Sequence, residues 1–237
     1  TLGSGDYLKQ IYPNSKIAAG EATECPTMLL NGFGEHRIEG IGDKHIPWIH
    51  NVRNTDMAIG IDDESSIDLI RLFNEPAGRA YLADQGVSSD IIEKLPLLGI
   101  SCVANMLMAI KFAKFYELTS QDVVMTVATD SMEMYASRLQ EEAELHGSYT
   151  ETSAAVHHQR YLLGAGIDHV LELGYWDRKR IHNLKYFTWV EQQGKTYEEI
   201  QAQWYDHDYW TSIHGHVDEI DALIDSFNKR TGLLENL

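Results

Sequence analysis

The sequence predicts an α/β domain with a largely parallel sheet, followed by a mostly helical extension. Two observations carry this. As far as about residue 146, short apolar runs alternate with helix-like segments, as in parallel sheets joined by crossover helices. After His146-Gly147-Ser148 no convincing strand remains and helical periodicity takes over. A third feature marks where a ligand would lie: His36-Arg37-Ile38-Glu39-Gly40-Ile41-Gly42-Asp43-Lys44-His45-Ile46-Pro47, followed by Trp48. Two glycines one residue apart make a poor helix and a poor strand. Glycine is favoured where φ must be positive or where something approaches the main chain closely.

The elements follow in order. Gly3 and Gly5 open a helix over residues 6–11, Pro13-Asn14 breaks it, and residues 16–20 form a short apolar run. Residues 22–55 hold no sustained periodicity, and a loop region of that length inside a compact domain is usually functional. Met57–Ile61 is a strand that stops at Asp62-Asp63, and Asp63 caps a helix over 64–73 that buries Ile67, Leu69 and Ile70. Pro76–Asp84 is a second helix, and 99–118 a long one with Met106, Ile110, Ala113 and Tyr116 near helical spacing. Residues 123–127 read as a buried strand and 132–145 as a helix with an acidic outer face. The first domain thus spans 1–146 and the extension 147–237, with helices near 151–163, 176–193, 196–206 and 217–231. Thr196 and Glu199 form a capping box, and Gly232 is a C-terminal stop. Trp176, Trp189, Trp204 and Trp210 suit packing on the first domain or on another subunit.

Composition excludes several classes. The 237 residues are 43% hydrophobic, 10% aromatic and 23% charged, ample for a packed core. A formal charge of −17, from 36 acidic against 19 basic residues, repels nucleic acid and anionic membrane, so neither is an expected partner. Cys25 and Cys102 imply no disulfide framework, which points to the cytoplasm. No apolar run reaches the length of a membrane span, and there is no secretory h-region. The chain starts Thr1-Leu2-Gly3-Ser4-Gly5 without a Met, and is expected to be a fragment.

In parallel α/β sheets, ligands sit beyond the carboxyl ends of strands, against helix N-termini. Three segments fit: residues 1–5, a phosphate loop or a plain glycine turn; the Gly40-Ile41-Gly42 segment; and Ala128-Thr129-Asp130-Ser131, where Asp130 or Ser131 is a ligand group or an N-cap. The histidines are weaker candidates. His207, His214 and His216 with Asp206 and Asp208 match no compact zinc template, so no metal is expected. Adjacent His157 and His158 point apart on a helix. Cys102, near a helix start, is either an activated thiol or a small buried residue.

Taken in order, these segments resemble the C-terminal half of the fold-type II pyridoxal phosphate-dependent enzymes, the family of cysteine synthase and cystathionine β-synthase. Gly3 to Lys9, then Tyr12-Pro13-Asn14-Ser15-Lys16, stand where the family's phosphate loop runs into a helix and a turn. Ile38 to Pro47 matches the family's Ile-x-Gly-Ile-Gly-x-x-Phe-Ile-Pro, and Gly99-Ile100-Ser101 its Gly-Ile-Ser at the start of a long helix. Thr129 to Tyr135 matches a strand that ends in a serine-bearing turn facing the pyridine nitrogen. The likeness covers about residues 1–138.

The resemblance implies a partial three-layer, parallel-sheet catalytic domain and, in the intact protein, pyridoxal 5′-phosphate. It implies β-elimination or β-replacement on serine, O-activated serine or cysteine, with an amino acid as partner and a homo-oligomeric assembly. Thr1 corresponds to the last threonine of the phosphate loop, and Gly40 to backbone lying against cofactor and substrate. Ser131 or Asp130 corresponds to the pyridine-nitrogen partner; a serine leaves that nitrogen unprotonated, whereas an aspartate protonates it and strengthens the electron sink. The family's Schiff-base lysine precedes the phosphate loop and none of the ten lysines here matches it, so the isolated chain is expected to be inactive. His45 replaces a common phenylalanine, and Met106 and Met108 stand where relatives carry small residues, which leaves substrate choice open. A non-catalytic assembly module built on 147–237, or one half of a split enzyme, are the alternatives.

Overall fold

The computed structural model describes residues 2–232 and 234. Helix α1 (Leu2–Ile11) leads into strand β1 (Ala18–Ala22), an edge of a three-stranded sheet of order β1-β2-β3. Between β1 and the next strand lie a single helical turn, α2 (Thr27–Leu30), and a 3₁₀ turn at Val52–Asn54. The central strand β2 (Met57–Ile61) is buried at every residue, as its Met-Ala-Ile-Gly-Ile sequence demands of a strand covered on both faces. It pairs parallel with β1, Ala18 opposite Met57 through Ala22 opposite Ile61. Strand β3 (Val170–Glu172) pairs antiparallel on its other side, with Val170 opposite Ile59.

Asp62 starts α3 (Asp63–Asn74), its Oδ1 accepting from the Ser65 amide at 2.8 Å. Helices α4 (Pro76–Asp84), α5 (Ser89–Lys94), α6 (Ile100–Phe115) and α7 (Ala136–His146) follow. Helix α8 (Glu151–His157) runs on through a π-helical stretch, His158–Leu163. The chain ends in α9 (Tyr175–Asn183), α10 (Tyr197–Tyr205), α11 (Tyr209–His214) and α12 (Val217–Thr231).

Strand alternation divides the core between two faces. Met57, Ile59 and Ile61 join Ile67, Ile70 and Val103 in a core that also takes in Ala154 and Tyr161 from beyond residue 147. Ala58 points the other way, into a cluster with Met28, Ile46, Val52, Leu173 and Ile181. Helices therefore cover one face, and the 23–55 segment with α9 covers the other. Gly20 lets α6 approach the sheet: a β-carbon there would lie 1.9 Å from the Met108 sulfur. The opposite layer is fixed by Lys185, which is wholly buried. Its ammonium donates to the carbonyls of Trp48 (2.9 Å) and His50 (2.8 Å) and to Gln203 Oε1 (2.6 Å).

Four expectations need correction. The sheet is mixed, because residues 170–172, in the stretch read as strand-free, form β3. Residues 123–127 form no strand: Val123 and Met125 are 84% and 75% exposed. Apolar, β-branched sequence alone does not make a strand without a neighbour to bond its backbone. Gly3 and Gly5 lie inside α1 rather than in a turn before it. Two helical glycines cost about 1 kcal/mol each. Tertiary bonds outweigh that: Asn54 Nδ2 donates to Asp6 at 2.5 Å, and Lys9 pairs with Asp56 at 2.6 Å. Finally, Asp62 rather than Asp63 is the cap. The helices expected near 151–163, 196–206 and 217–231 are present, the one expected over 176–193 is broken into α9 and a π-helical stretch at Tyr186–Val190, α11 adds a short one, and Thr196 and Glu199 form the capping box.

Candidate functional site

The 36–47 segment is held down by its isoleucines: Ile38, Ile41 and Ile46 are buried. Between these anchors Gly40 and Gly42 take φ of +86° and +74°, a region costly for residues with a side chain. Polar ties fix the segment from two helices. The Arg37 amide donates to Asp63 of α3 at 2.7 Å, while Arg37 pairs with Glu142, and Glu39 with Arg138, both on α7. A β-carbon on Gly42 would lie 3.5 Å from the Ala22 nitrogen. The glycine segment therefore lies across the carboxyl end of β1, where ligands of open α/β sheets bind.

The start of α6 meets it there. A β-carbon on Gly40 would be 3.6 Å from the Ser101 side chain. Ser101 Oγ lies 2.8 Å from Thr129 Oγ1, and the Gly99 amide donates to the Asp130 carbonyl at 3.1 Å. Cys102 accepts from the Thr129 amide at 3.1 Å, and its sulfur is 3.3 Å from Asp130 Oδ1. Gly99 has an ordinary φ of −73°, so its requirement is space. A β-carbon there would meet Asp130 Oδ1 at 2.3 Å. A carboxylate at the N-terminus of a four-turn helix is favoured by the helix dipole. Tyr135 donates its hydroxyl to Asp130 Oδ2, and this bond, with burial, pushes the phenol up to about 12.

Gly40, Asp130 and Ser131 are thus brought to one place, together with Ser101, Cys102, Thr129 and Tyr135. Asp130 and Ser131 differ in availability. Both Asp130 oxygens have partners, whereas the Ser131 hydroxyl, half-buried on extended backbone, has none among the described residues. Thr1 lies outside the described residues.

Other candidates fall away from this cluster. Lys44 is exposed. His207 contacts Arg53 (3.4 Å), His214 faces Gln10 (3.0 Å) and His216 pairs with Glu219 (3.4 Å), so the three do not converge. Among the described residues no group of three or more His, Cys, Asp or Glu is placed to hold a metal ion. His157 bonds Tyr149 and His158 bonds Tyr81, on different sides as expected. Cys102 is buried, its small-residue reading. Cavities of about 370 Å³ beside Lys179 and Phe187, and about 330 Å³ between α1 and α11, include no residue of the cluster. Sequence reasoning missed Thr129 and Tyr135 as partners of Asp130; the one signal was their place in the matched 129–135 segment. It also missed Lys185, for which a lone lysine in a helical stretch gives no signal.

No family model matches the chain. Over 135 residues, 57% of its length, it is 29% identical to the cysteine synthase of Staphylococcus aureus strain N315. It is 27% identical over 135 residues to cysteine synthase B of Campylobacter jejuni. Over that stretch the chain is similar to cysteine synthases. It spans 37% and 38% of the length of these two relatives. Among solved structures it is similar to a hydrogen sulfide-producing enzyme from Fusobacterium nucleatum, with 23% identity and a TM-score of 0.43 over 71% of this chain and 43% of that one. Among the described residues no single helix is long and apolar enough to cross a membrane.

Proposed function

We propose that this chain is the C-terminal portion of a cytoplasmic, pyridoxal phosphate-dependent enzyme. Its reaction is β-elimination or β-replacement on serine, O-activated serine or cysteine. One observation supports the proposal: the bare backbone of Gly40, the start of α6 and the Thr129–Asp130 turn meet at the carboxyl end of β1, with Ser131, whose hydroxyl has no hydrogen bond among the described residues, next in that turn. The donor set fits the cofactor, offering a flat glycine wall and one neutral hydroxyl. When bound, the cofactor supplies an electron sink that allows loss of the substrate's α-proton and then of its β-substituent.

The chain's own residues have simpler tasks. Gly40 admits a flat ring against the main chain, where any side chain would stand in the way. Ser131 would offer its hydroxyl hydrogen to the pyridine nitrogen, and a neutral hydroxyl there would leave that atom unprotonated, a moderate sink suited to β-elimination. Asp130 positions the Ser131 turn through its bonds to Cys102 and Tyr135. Thr1, by its place in the resemblance, would bind the phosphate. The covalent lysine comes from outside this sequence, since none of the ten lysines stands at the family's position.

The test supplies the lysine-bearing part of a cysteine synthase in trans and measures sulfide release from cysteine. The chain alone with pyridoxal phosphate should release none. The mixture should release sulfide, and Ser131→Ala should lower the rate about tenfold, the worth of one hydrogen bond of ~1.4 kcal/mol. Turnover by the chain alone, or an unchanged rate in the variant, contradicts the reading.

A further inference from the structure

Three consecutive bases on α9 meet different surroundings. Arg178 pairs with Asp56 at 3.1 Å, and Arg180 donates to the Met28 carbonyl at 2.7 Å. Lys179, between them, reaches no oxygen. Its ammonium is buried and has no hydrogen-bond acceptor among the described residues. Two ring faces hold it instead, with centroids at 4.6 Å for Trp204 and 4.5 Å for Tyr205. Ring faces offset part of the cost of burying a charge, but they leave its N–H donors without an oxygen. Burial accordingly holds this amine below the usual lysine range.

Lys179 lines a cavity of about 370 Å³, a volume that suits a small organic ligand. Buried Ile200 lines it too, with the exposed rings of Tyr186, Phe187, Tyr197 and Tyr205. Tyr186 and Phe187 come from the π-helical stretch Tyr186–Val190, a rare backbone form that recurs at functional sites. Of the two rings over the ammonium, Trp204 is fixed at 5% exposure, whereas Tyr205 is 60% exposed. The Tyr205 ring can therefore turn outward, as exposed side chains do readily, and open the ammonium to the cavity.

The rings and the charge ask for different halves of one ligand. The rings favour a flat apolar body packed against them. The ammonium favours a carboxylate, which supplies the missing acceptor in a charge-assisted bond. A neutral ring would leave the charge unpaired, and a small bare anion would leave the rings in water. We propose that the cavity between α9 and α10 binds a small aromatic carboxylate, its ring against Tyr186, Phe187 and Tyr197 and its carboxylate on Lys179. The cavity shares no residue with the glycine cluster, so its occupant is independent of the cofactor.

Phenylacetate is the probe, titrated to about 20 mM into the 237-residue chain and followed by amide NMR, a range suited to a ligand of about ten non-hydrogen atoms. Amides of Lys179, Phe187, Tyr197 and Ile200 should shift together and saturate with one dissociation constant. Acetate and benzyl alcohol, each carrying one half of the ligand, should bind at least about tenfold more weakly. Lys179→Met keeps most of the stem over Trp204 and should weaken phenylacetate at least about tenfold. Phe187→Ser removes one exposed wall, leaves both cores intact and should also weaken it. The three probes are compared on the unchanged chain, so that comparison stands even if a variant misfolds. No saturable shift at these amides, acetate or benzyl alcohol binding as well as phenylacetate, or full affinity in a folded Lys179→Met overturns the proposal.

Discussion

Gly40 and Gly99 sit on either side of one cluster for different physical reasons. At Gly40 the constraint is conformational: φ is +86°, yet a β-carbon would find ordinary contact distances. At Gly99 the conformation suits any residue, but the Asp130 carboxylate fills the place of a side chain. Gly40→Ala should therefore cost about 1 kcal/mol, the strain of a left-handed residue. Gly99→Ala should cost about 1–3 kcal/mol as Asp130 is displaced. Urea denaturation of both variants checks this, and equal, negligible losses would contradict the packing around Asp130. The glycines were legible in the sequence because their spacing has no other structural use. The contrast between Asp130 and Ser131 was not legible. It depends on Cys102 and Tyr135, which only the fold brings to the same carboxylate.

At the scale of elements, β2 and the segment after α6 make an instructive pair. Both are short apolar runs rich in strand-forming residues, and only β2 has neighbours on both sides. Residues 123–127 are tethered near their end by Asn105, which donates to the Val127 carbonyl at 2.9 Å, and otherwise lie in solvent. Amide hydrogen exchange should therefore be fast at 123–126 and slow across 57–61. Protection at 123–126 comparable to β2 would show a paired strand there. Long periodic helices such as α6 and α12 were readable because their pattern is internal to the segment. Strands depend on partners far away in sequence, as β3 shows by joining β2 from more than 100 residues on. That dependence is why 123–127 was misread and 170–172 overlooked.

Across the whole molecule, buried bases tie the layer of the 23–55 segment and the extension to pH. Burial pushes His50 and His182 down to about 4 each, with the nearby Lys185 charge adding to it, and burial pushes Lys185 down to about 7. In each case the unfolded chain binds protons more readily than the folded one, so these groups make stability rise with pH. The histidine effect operates between about 4 and 6.5, and the Lys185 effect between about 7 and 10.4. Each histidine should cost up to about 1.4 kcal/mol per pH unit as pH falls through its window. Buried Glu21 and Asp63, both raised by burial, oppose this at the acid end. NMR titration of the imidazoles isolates the histidines: midpoints near 4 are expected, and midpoints near 6.5 would mean the Lys185 cage is open to water. The proposed cofactor wall has its own direct test, which is amide NMR of the 237-residue chain titrated with pyridoxal 5′-phosphate at concentrations up to about 10 mM, suited to a partial site. Amides of Gly40, Gly42, Ser101, Asp130 and Ser131 should shift together and saturate with one dissociation constant, and Gly40→Val should abolish the response. Shifts confined to other surfaces, or an undiminished response in that variant, would show that these residues do not form the wall of a cofactor pocket.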